Sequence, residues 1–573
     1  MFVAVYWWHL MRRLTLLVLS AVCLHAGLAG QARADHTHAQ HVEQLGSVQF
    51  ANSCRVEAQK DFLRGLAFLH SFGYEEARRS FLAAAAADPR CAIAQWGIAM
   101  TYYHPIWAPP TPDELAAGAD AAAMAAALPP GTERERAYVD AIGAFHRDAG
   151  KIDHKSRALA YEQSMARVAA RFPEDHEAAI FHALAILGNS PISDKTFAGQ
   201  KRAAAILHGL LPLEPEHPGI THYLIHAYDY SQLAELALAG ARAYAKIAPD
   251  SPHALHMPSH IFTRLGMWEE SIASNLESAR VARELVGRHH PGAERFDALH
   301  ALDYLEYAYL QTAQDEKARA VVAEIARVDK LDEPNFAAAY ALAAVPARWA
   351  LERRDWAAAK ALTVTPRSFP WAKVPYAEAI THFARAVGAA RLKDAATART
   401  ALARLEKIKA DLAQGPAGPY DWVSQIEVQR LAAVGWLARA EAADQEALRY
   451  LRAAADLEDA RDKHPVTPGS VLPAREQLAD LLAELGRAKE ALAEYEATLE
   501  VTPRRFRSLA GAAAAARTAG DAPKAEKYAG ELLQLASHGD GLRPELAAAK
   551  SRMAGGVARR LERSERELQP SGR

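Results

Sequence analysis

The sequence repeats a pair of histidines after an interval that constrains the fold. His222 and His226 recur as His256 and His260, each 34 positions later, and 34 residues is the length of a common helical-hairpin repeat. In a helical solenoid, residues one period apart occupy equivalent places on neighbouring parallel helices. The recurrence therefore predicts that the histidines stack along one wall of a helical-repeat array.

Small and large apolar residues near both ends of the chain follow the same period. In two-helix repeats of this length, small residues let the paired helices approach closely, and a proline closes the second helix. The early set comprises Gly65, Phe68, Ala77, Phe81, Ala84 and Pro89. The late sets comprise Ala479, Leu482, Ala491, Tyr495 and Pro503, with a turn at Leu485, Gly486 and Arg487, and then Ala513, Gly520 and Ala525.

These segments resemble tetratricopeptide repeats (TPR). The resemblance implies an all-α solenoid of helical hairpins, wound as a right-handed superhelix, that binds a protein, a peptide or a small ligand on its concave face. Spacers rich in Gly, Pro and polar residues break the register, so we expect irregular repeats with loop insertions. The chain is also similar to exported bacterial TPR proteins that carry segments like 222–229 and 253–260.

Composition and spacing divide the chain into six parts. A signal peptide is predicted at 1–34, an N-terminal segment at 35–57 and an N-terminal TPR-like solenoid with a histidine-rich groove at 58–290. We expect degenerate helical repeats at 291–470, a TPR pair at 471–539, and a capping helix with a polar tail at 540–573.

The first residues are typical of an export signal. Arg12 and Arg13 precede an apolar stretch at 14–29, and Ala32 and Ala34 fit the small residues of a cleavage site. Either Met1 or Met11 could be the true start. The apolar run is too short to favour a permanent membrane span. The mature protein is therefore predicted to be periplasmic or secreted, without a stable span once the signal is removed.

Charge argues against nucleic acid as a partner. The 573 residues include 67 basic and 69 acidic side chains. Removing residues 1–34 takes away three arginines and no acid, which leaves 64 basic against 69 acidic side chains and a net charge of −5. A nucleic-acid-binding surface usually needs a basic excess, so we expect no such partner.

Two cysteines remain after the signal. Cys54 and Cys91 lie in an exported chain, where oxidising conditions favour a bridge. The sequence contains no metal-type Cys-x-x-Cys spacing. A disulfide is predicted, and two buried thiols are the alternative.

Histidine and aspartate form three stripes at helical spacing. Residues three, four and seven apart share one face of a helix. The candidate metal ligands on these stripes are His222, His226 and Asp229, then His253, His256 and His260, and finally His300 and Asp303. Pro258 lies inside the second stripe, where it could kink that helix or begin a new one. Further groove-lining candidates are His70, His104 and Tyr307.

Imidazoles from adjacent helices could converge on one divalent transition metal ion, with zinc or copper as the candidates. Two alternatives stay open at this point. Without a metal, the histidines could form a hydrogen-bonded polar seam or contact a protein or peptide in an interaction scaffold. Alternatively, the same groove could serve a metal-dependent hydrolase or oxidase. The sequence contains no His-Glu-x-x-His, Gly-x-Ser-x-Gly or phosphate-binding glycine motif. Whether the protein is an enzyme is therefore undecided by sequence.

Overall fold

Helices and short connections make up nearly all of the described chain. A computed structural model describes residues 43–129, 131–415 and 420–551. The predicted signal peptide, both candidate start residues and most of the predicted polar tail lie outside these ranges. The described residues from Leu45 onward belong to one compact unit.

The helices are numbered in chain order, and their connections range from one residue to the 14 residues of 460–473. Their bounds are α1 Val56–His70, α2 Tyr74–Ala87, α3 Ala92–Met100, α4 Pro112–Ala127, α5 Glu133–His146, α6 His154–Arg171, α7 His176–Asn189, α8 Ala198–Leu210, α9 Pro218–Tyr228, α10 Leu238–Ile247, α11 Pro252–His256, α12 Pro258–Arg264, α13 Trp268–His289, α14 Phe296–Gln311, α15 Asp315–Ile325, α16 Phe336–Glu352, α17 Trp356–Ala361, α18 Pro375–Arg391, α19 Ala395–Ala413, α20 Trp422–Ala440, α21 Asp444–Asp459, α22 Ala474–Glu484, α23 Ala488–Val501, α24 Phe506–Thr518 and α25 Ala522–Leu535. Short 3₁₀ turns occur at Ala234–Ala237 and Trp371–Lys373. In the described ranges no strand forms, and the β-type pairing is a single bridge between Glu294 and Leu331.

One turn geometry recurs at the tips of the hairpins. A residue in the left-handed conformation follows the first helix, and the next amide donates to a carbonyl five positions back, which satisfies one of the free carbonyls at the helix C-terminus. The turn occurs at Phe72, Gly266, Ala313, Arg354, Lys393, Ala442, Gly486 and Gly520. This repeated hairpin confirms the predicted all-α, TPR-like solenoid.

The spacing of these turns confirms that the repeats are irregular. Gly486 and Gly520 are 34 positions apart, but the neighbouring turns from Gly266 to Gly486 are separated by 39 to 49 positions. The C-terminal pair thus keeps the TPR period that its residues predict. The repeats between Gly266 and Gly486 are longer because their helices and connections contain more residues.

Close helix packing explains the small residues of the early repeat. A β-carbon added to Gly65 would lie 2.9 Å from the Phe81 ring, so α1 and α2 can approach only because this position is glycine. Cys54 and Cys91 form the predicted disulfide, with their α-carbons 5.0 Å apart. The bridge joins the segment before α1 to the start of α3.

The C-terminal repeats fold back onto the middle of the chain. Trp268 Nε1 on α13 donates to the carbonyl of Arg504 at 3.0 Å, and the amide of Phe506 donates to Gln311 Oε1 at 3.0 Å. The connection from α21 to α22, residues 460–473, lies against α14, where Tyr304 Oη donates to the carbonyls of Pro465 and Thr467. We call residues 460–473 the covering loop.

Among the described helices, none combines the length and the apolar character needed to cross a membrane. Arg543 forms an ion pair with Asp315 at 2.6 Å, which holds the start of the last described helical segment, 544–551, beside α15. These residues fall in the segment predicted as a cap, 540–573, most of which lies outside the described ranges.

Candidate metal centre

Prolines set the starts of the helices that carry the histidines. Pro218 and Pro252 occupy the first turns of α9 and α11, where the missing amide hydrogen costs nothing and the fixed φ favours a helix. Pro258 begins α12 directly after α11, and Met257 between them keeps helical angles. The chain therefore continues in nearly the same direction through Pro258. The remaining histidine of the cluster, His300, lies on α14.

The first three-histidine group, triad A, consists of His222, His226 and His253. His222 Nε2 lies 3.0 Å from His226 Nε2 and 3.1 Å from His253 Nε2. Two nitrogens bound to one zinc ion at tetrahedral angles lie roughly 3.3 Å apart, given bonds of about 2.05 Å. The three nitrogens are thus placed as ligands of one small cation.

The second group, triad B, consists of His256, His260 and His300. His256 Nε2 and His260 Nε2 lie 3.0 Å apart. The two side chains are therefore neighbours, as residues four apart on one helix are, although Pro258 lies between them. The ring of His300 packs 4.2 Å from that of His256, and its buried Nε2 has no hydrogen-bond partner. In each triad, one ligand atom per residue lies within 4.8 Å of the other two.

The partners of two rings determine which nitrogens of triad B carry hydrogen. Asn275 Nδ2 donates to the Ser271 carbonyl at 2.7 Å, which turns Asn275 Oδ1 toward His256 Nδ1 at 2.6 Å. His260 Nδ1 lies 2.9 Å from Asp229 Oδ2. Amide and carboxylate oxygens accept hydrogen bonds, so both Nδ1 atoms donate, and in neutral rings both Nε2 atoms present lone pairs. Two acceptor nitrogens therefore face each other with no hydrogen between them.

Protonation is an unfavourable way to relieve this repulsion. Burial lowers the pKa of all three histidines of triad B, and the nearby Lys463 ammonium group lowers these pKa values further. In triad A, burial lowers the pKa of His226 to about 3. Neutral imidazoles are the form that binds transition metals.

In triad A, too, a hydrogen bond to a residue outside the triad orients a histidine. His222 Nδ1 donates to the carbonyl of His70 at 2.6 Å, so His222 Nε2 presents its lone pair to the triad. Fixing the outer nitrogen of a ligating histidine in this way sets its tautomer and its ring orientation. Phe72 packs against all three rings of triad A, with centroid distances of 4.4 to 5.5 Å.

The two triads are neighbours. The rings of His253 and His256 are 6.3 Å apart, and those of His226 and His260 are 6.5 Å apart. The histidine pairs that are related by 34 positions thus belong to different triads. The sequence predicted that the histidines converge on one ion. In the structure they form two groups, because His253 completes triad A and His300 completes triad B.

Asp229 supports the histidines from outside the triads. One of its oxygens accepts from His260, and the other accepts from Arg264 Nε at 2.8 Å. Burial alone would raise the pKa of Asp229, but Lys463 and Arg264 hold it well below its usual value. The ionised carboxylate therefore orients His260 rather than joining either three-histidine group.

A third cluster, formed by His70, Glu177 and His217, satisfies its own hydrogen bonds. Glu177 accepts from His70 Nε2 at 2.8 Å and from His217 Nε2 at 3.1 Å. His70 Nδ1 pairs with Tyr223 Oη at 2.9 Å, and His217 Nδ1 accepts from the Gly219 amide. Every ring nitrogen has a protein partner, so this cluster braces the helix ends and fixes the His70 carbonyl that His222 uses.

Two of the other candidates on α14 have different partners. Asp303 Oδ1 accepts from Arg348 Nη1 at 2.6 Å, and Tyr307 Oη accepts from Arg505 Nη1 at 3.2 Å. Both side chains belong to a buried network of arginines and acids further along α14. His104 donates to the Thr101 carbonyl and packs on Tyr74.

Sequence reasoning missed several residues of the site. Asn275 lies on α13, outside every histidine stripe, and Lys463 comes from the covering loop. Lys463 Nζ lies 3.5 Å from Asp229 Oδ2, and burial lowers its pKa to about 8, so it remains largely an ammonium group at neutral pH. No spacing rule joins residues so far apart in the chain. Tyr304, four positions after His300, could have been found from its place on the same helical face.

A cleft reaches the centre from one side. It has about 100 Å³ of space for small molecules, and its walls include His104, His226, Asp229 and Lys463. His226 is partly exposed, while the other five histidines of the two triads are buried. Triad A is therefore the more accessible of the two.

No family model matches the chain, and no curated protein matches it. Among solved structures, the human IFIT1 dimer with PPP-AAAA is 13% identical, with a TM-score of 0.35, over 84% of this chain and 91% of that chain. The APC/C hetero-tetramer Cut9-Hcn1 is 12% identical, with a TM-score of 0.30, over 87% of this chain and 96% of that chain. Likenesses at these scores carry no information on ligands or partners.

Proposed function

We propose that this chain is an exported TPR-like scaffold that holds two transition metal ions, zinc or copper, one in each triad. The observation that carries the proposal is the pair of facing lone pairs on His256 Nε2 and His260 Nε2, 3.0 Å apart. A cation between them converts a repulsion into two bonds. The buried, unpartnered His300 Nε2 supplies a third ligand.

The ligand set favours transition metals over calcium or magnesium. Imidazole nitrogen suits zinc, copper, iron and nickel, whereas calcium and magnesium take oxygen ligands. Three protein ligands for each ion leave a coordination position open, as in catalytic zinc sites. An activity as a hydrolase or an oxidase is consistent with such open positions.

A metal-free interaction scaffold is the weaker alternative. It requires the histidines to contact a partner, yet five of the six are buried and the covering loop lies over their helices. Partner binding on other surfaces of the TPR-like array is compatible with the metal centre.

Metal analysis of protein made without a histidine tag tests the proposal. After reconstitution with zinc or copper and removal of loose ions, we expect about two ions per chain, one for each group of three ligands. His253→Ala and His300→Ala should each lose about one ion. His382→Ala, on α18 and bonded to Glu378, is the matched control and should keep both.

Protein with no bound metal after reconstitution would overturn the proposal. A full complement of ions in both ligand variants would overturn it as well. Loss of one ion in only one variant would reduce the centre to a single site and contradict the two-ion assignment.

A further inference from the structure

A buried ammonium group in the cleft beside triad A is weakly paired. The Lys463 side chain is 10% exposed, and its contact with Asp229 Oδ2, at 3.5 Å, is at the limit of a hydrogen bond. Asp229 already accepts shorter hydrogen bonds from His260 and Arg264. An ammonium group has three hydrogens to donate, so Lys463 retains capacity for a ligand.

The charges around Lys463 leave a positive excess. Lys195 pairs with Asp462 at 2.6 Å, and Arg264 pairs with Asp229 at 2.8 Å. Asp462 and Asp229 are therefore each paired with one cation. Lys463 is a third cation beside these two acids, so the group carries one positive charge in excess. Ions held by neutral imidazoles would add further positive charge in a buried place, where an anion gains most from electrostatic attraction.

The cleft combines this charge with apolar walls. Ile106, Leu187 and Tyr230 line it together with Pro105 and Ala158. None of the described residues that line it is an arginine, although arginine is the usual partner where a phosphate is bound by two hydrogen bonds. An enclosed apolar cavity of about 150 Å³ can hold benzene. The cleft has about 100 Å³ of space and an open mouth, so it suits a short chain, or a ring that extends partly out of the mouth.

We propose that the cleft binds a small organic carboxylate, with one end on Lys463 and the ion of triad A, and its apolar body against Ile106 and Leu187. This assignment rests on the proposed metal function and names the ligand class of the same centre. His226 places the ion at the cleft, since it belongs both to triad A and to the cleft wall.

Calorimetric titration with benzoate, benzamide and inorganic phosphate tests the proposal on full-length protein whose metal content is known. Lys463→Met removes the charge and keeps the length of the side chain. Lys407→Met is the matched control, because Lys407 is paired with Asp411 on the surface and does not line this cleft. We expect benzoate to bind, and Lys463→Met to weaken its Kd at least about tenfold, against less than about twofold for Lys407→Met.

Benzamide, which has no charge, should bind at least about tenfold more weakly than benzoate. Equal binding of benzoate by both lysine variants would overturn the assignment, and so would tighter binding of phosphate or no benzoate binding at all. Metal-loaded protein that does not bind benzoate would refute this inference and leave the metal function standing. Protein that takes up no metal on reconstitution but binds benzoate through Lys463 would refute the metal function and the contact with the ion, and would keep the contact with Lys463.

Discussion

At the scale of single residues, the two histidine triads depend on residues that do not belong to them. The orientation of His256 is fixed by Asn275, whose amide is in turn fixed by the Ser271 carbonyl. His260 depends in the same way on Asp229, and His222 depends on the His70 carbonyl. Each of these acceptors leaves the nitrogen toward the triad free of hydrogen.

Asn275→Leu removes the acceptor for His256 Nδ1, so we expect the affinity of triad B for metal to fall roughly 10- to 100-fold. Asn275→Asp keeps an acceptor oxygen and should restore most of the affinity. Competitive titration with a chromogenic chelator measures both. Triad A provides the internal reference, and an equal loss at both triads would show general unfolding instead of a local effect.

At the scale of elements, the covering loop closes the site from a distant part of the chain. Glu458, at the end of α21, accepts hydrogen bonds from Ser470 Oγ and from the Ala474 amide, both at 2.7 Å. These bonds join the two ends of the loop. Burial raises the pKa of this carboxyl from 4.5 to about 7.

A raised carboxyl pKa means that the folded protein binds the proton more tightly than the unfolded chain does. The stabilising contribution of Glu458 is therefore full below pH 4.5 and is lost as the pH rises toward about 7. Glu458→Gln should flatten the fall in Tm between pH 5 and pH 8. Differential scanning calorimetry checks this against Glu490→Gln, an exposed control, and parallel curves for wild type and Glu458→Gln would contradict the assignment.

The sequence could predict elements better than it could predict their assembly. The histidine stripes, the hairpin turn at Gly486 and the early pair Gly65 and Phe81 all depend on local spacing, which a helix converts directly into geometry. The division into two triads depends on His253 and His300 reaching across helices. Asn275 and Lys463 reach the site through tertiary packing, which no repeated spacing in the sequence predicts.

At the scale of the whole molecule, export and the disulfide make a joint prediction. Mature protein from a periplasmic host should begin at Asp35, as measured by intact mass, and should have no reactive thiols before reduction. A loop closed across 37 positions is expected to add about 4 kcal/mol of stability by the chain-entropy estimate. Cys54→Ser together with Cys91→Ser should lower the Tm, and an unchanged Tm would contradict the structural role of the bridge.

The unequal exposure of the two triads has a consequence for how the protein matures. Tyr304 and Pro465, which meet beside triad B, are 161 positions apart in the chain, whereas His226 reaches the cleft directly. An ion at triad A can exchange through this opening after folding is complete. The histidines of triad B are buried, so an ion there would exchange only when the covering loop moves away from α14, and a chelator should remove the two ions at very different rates.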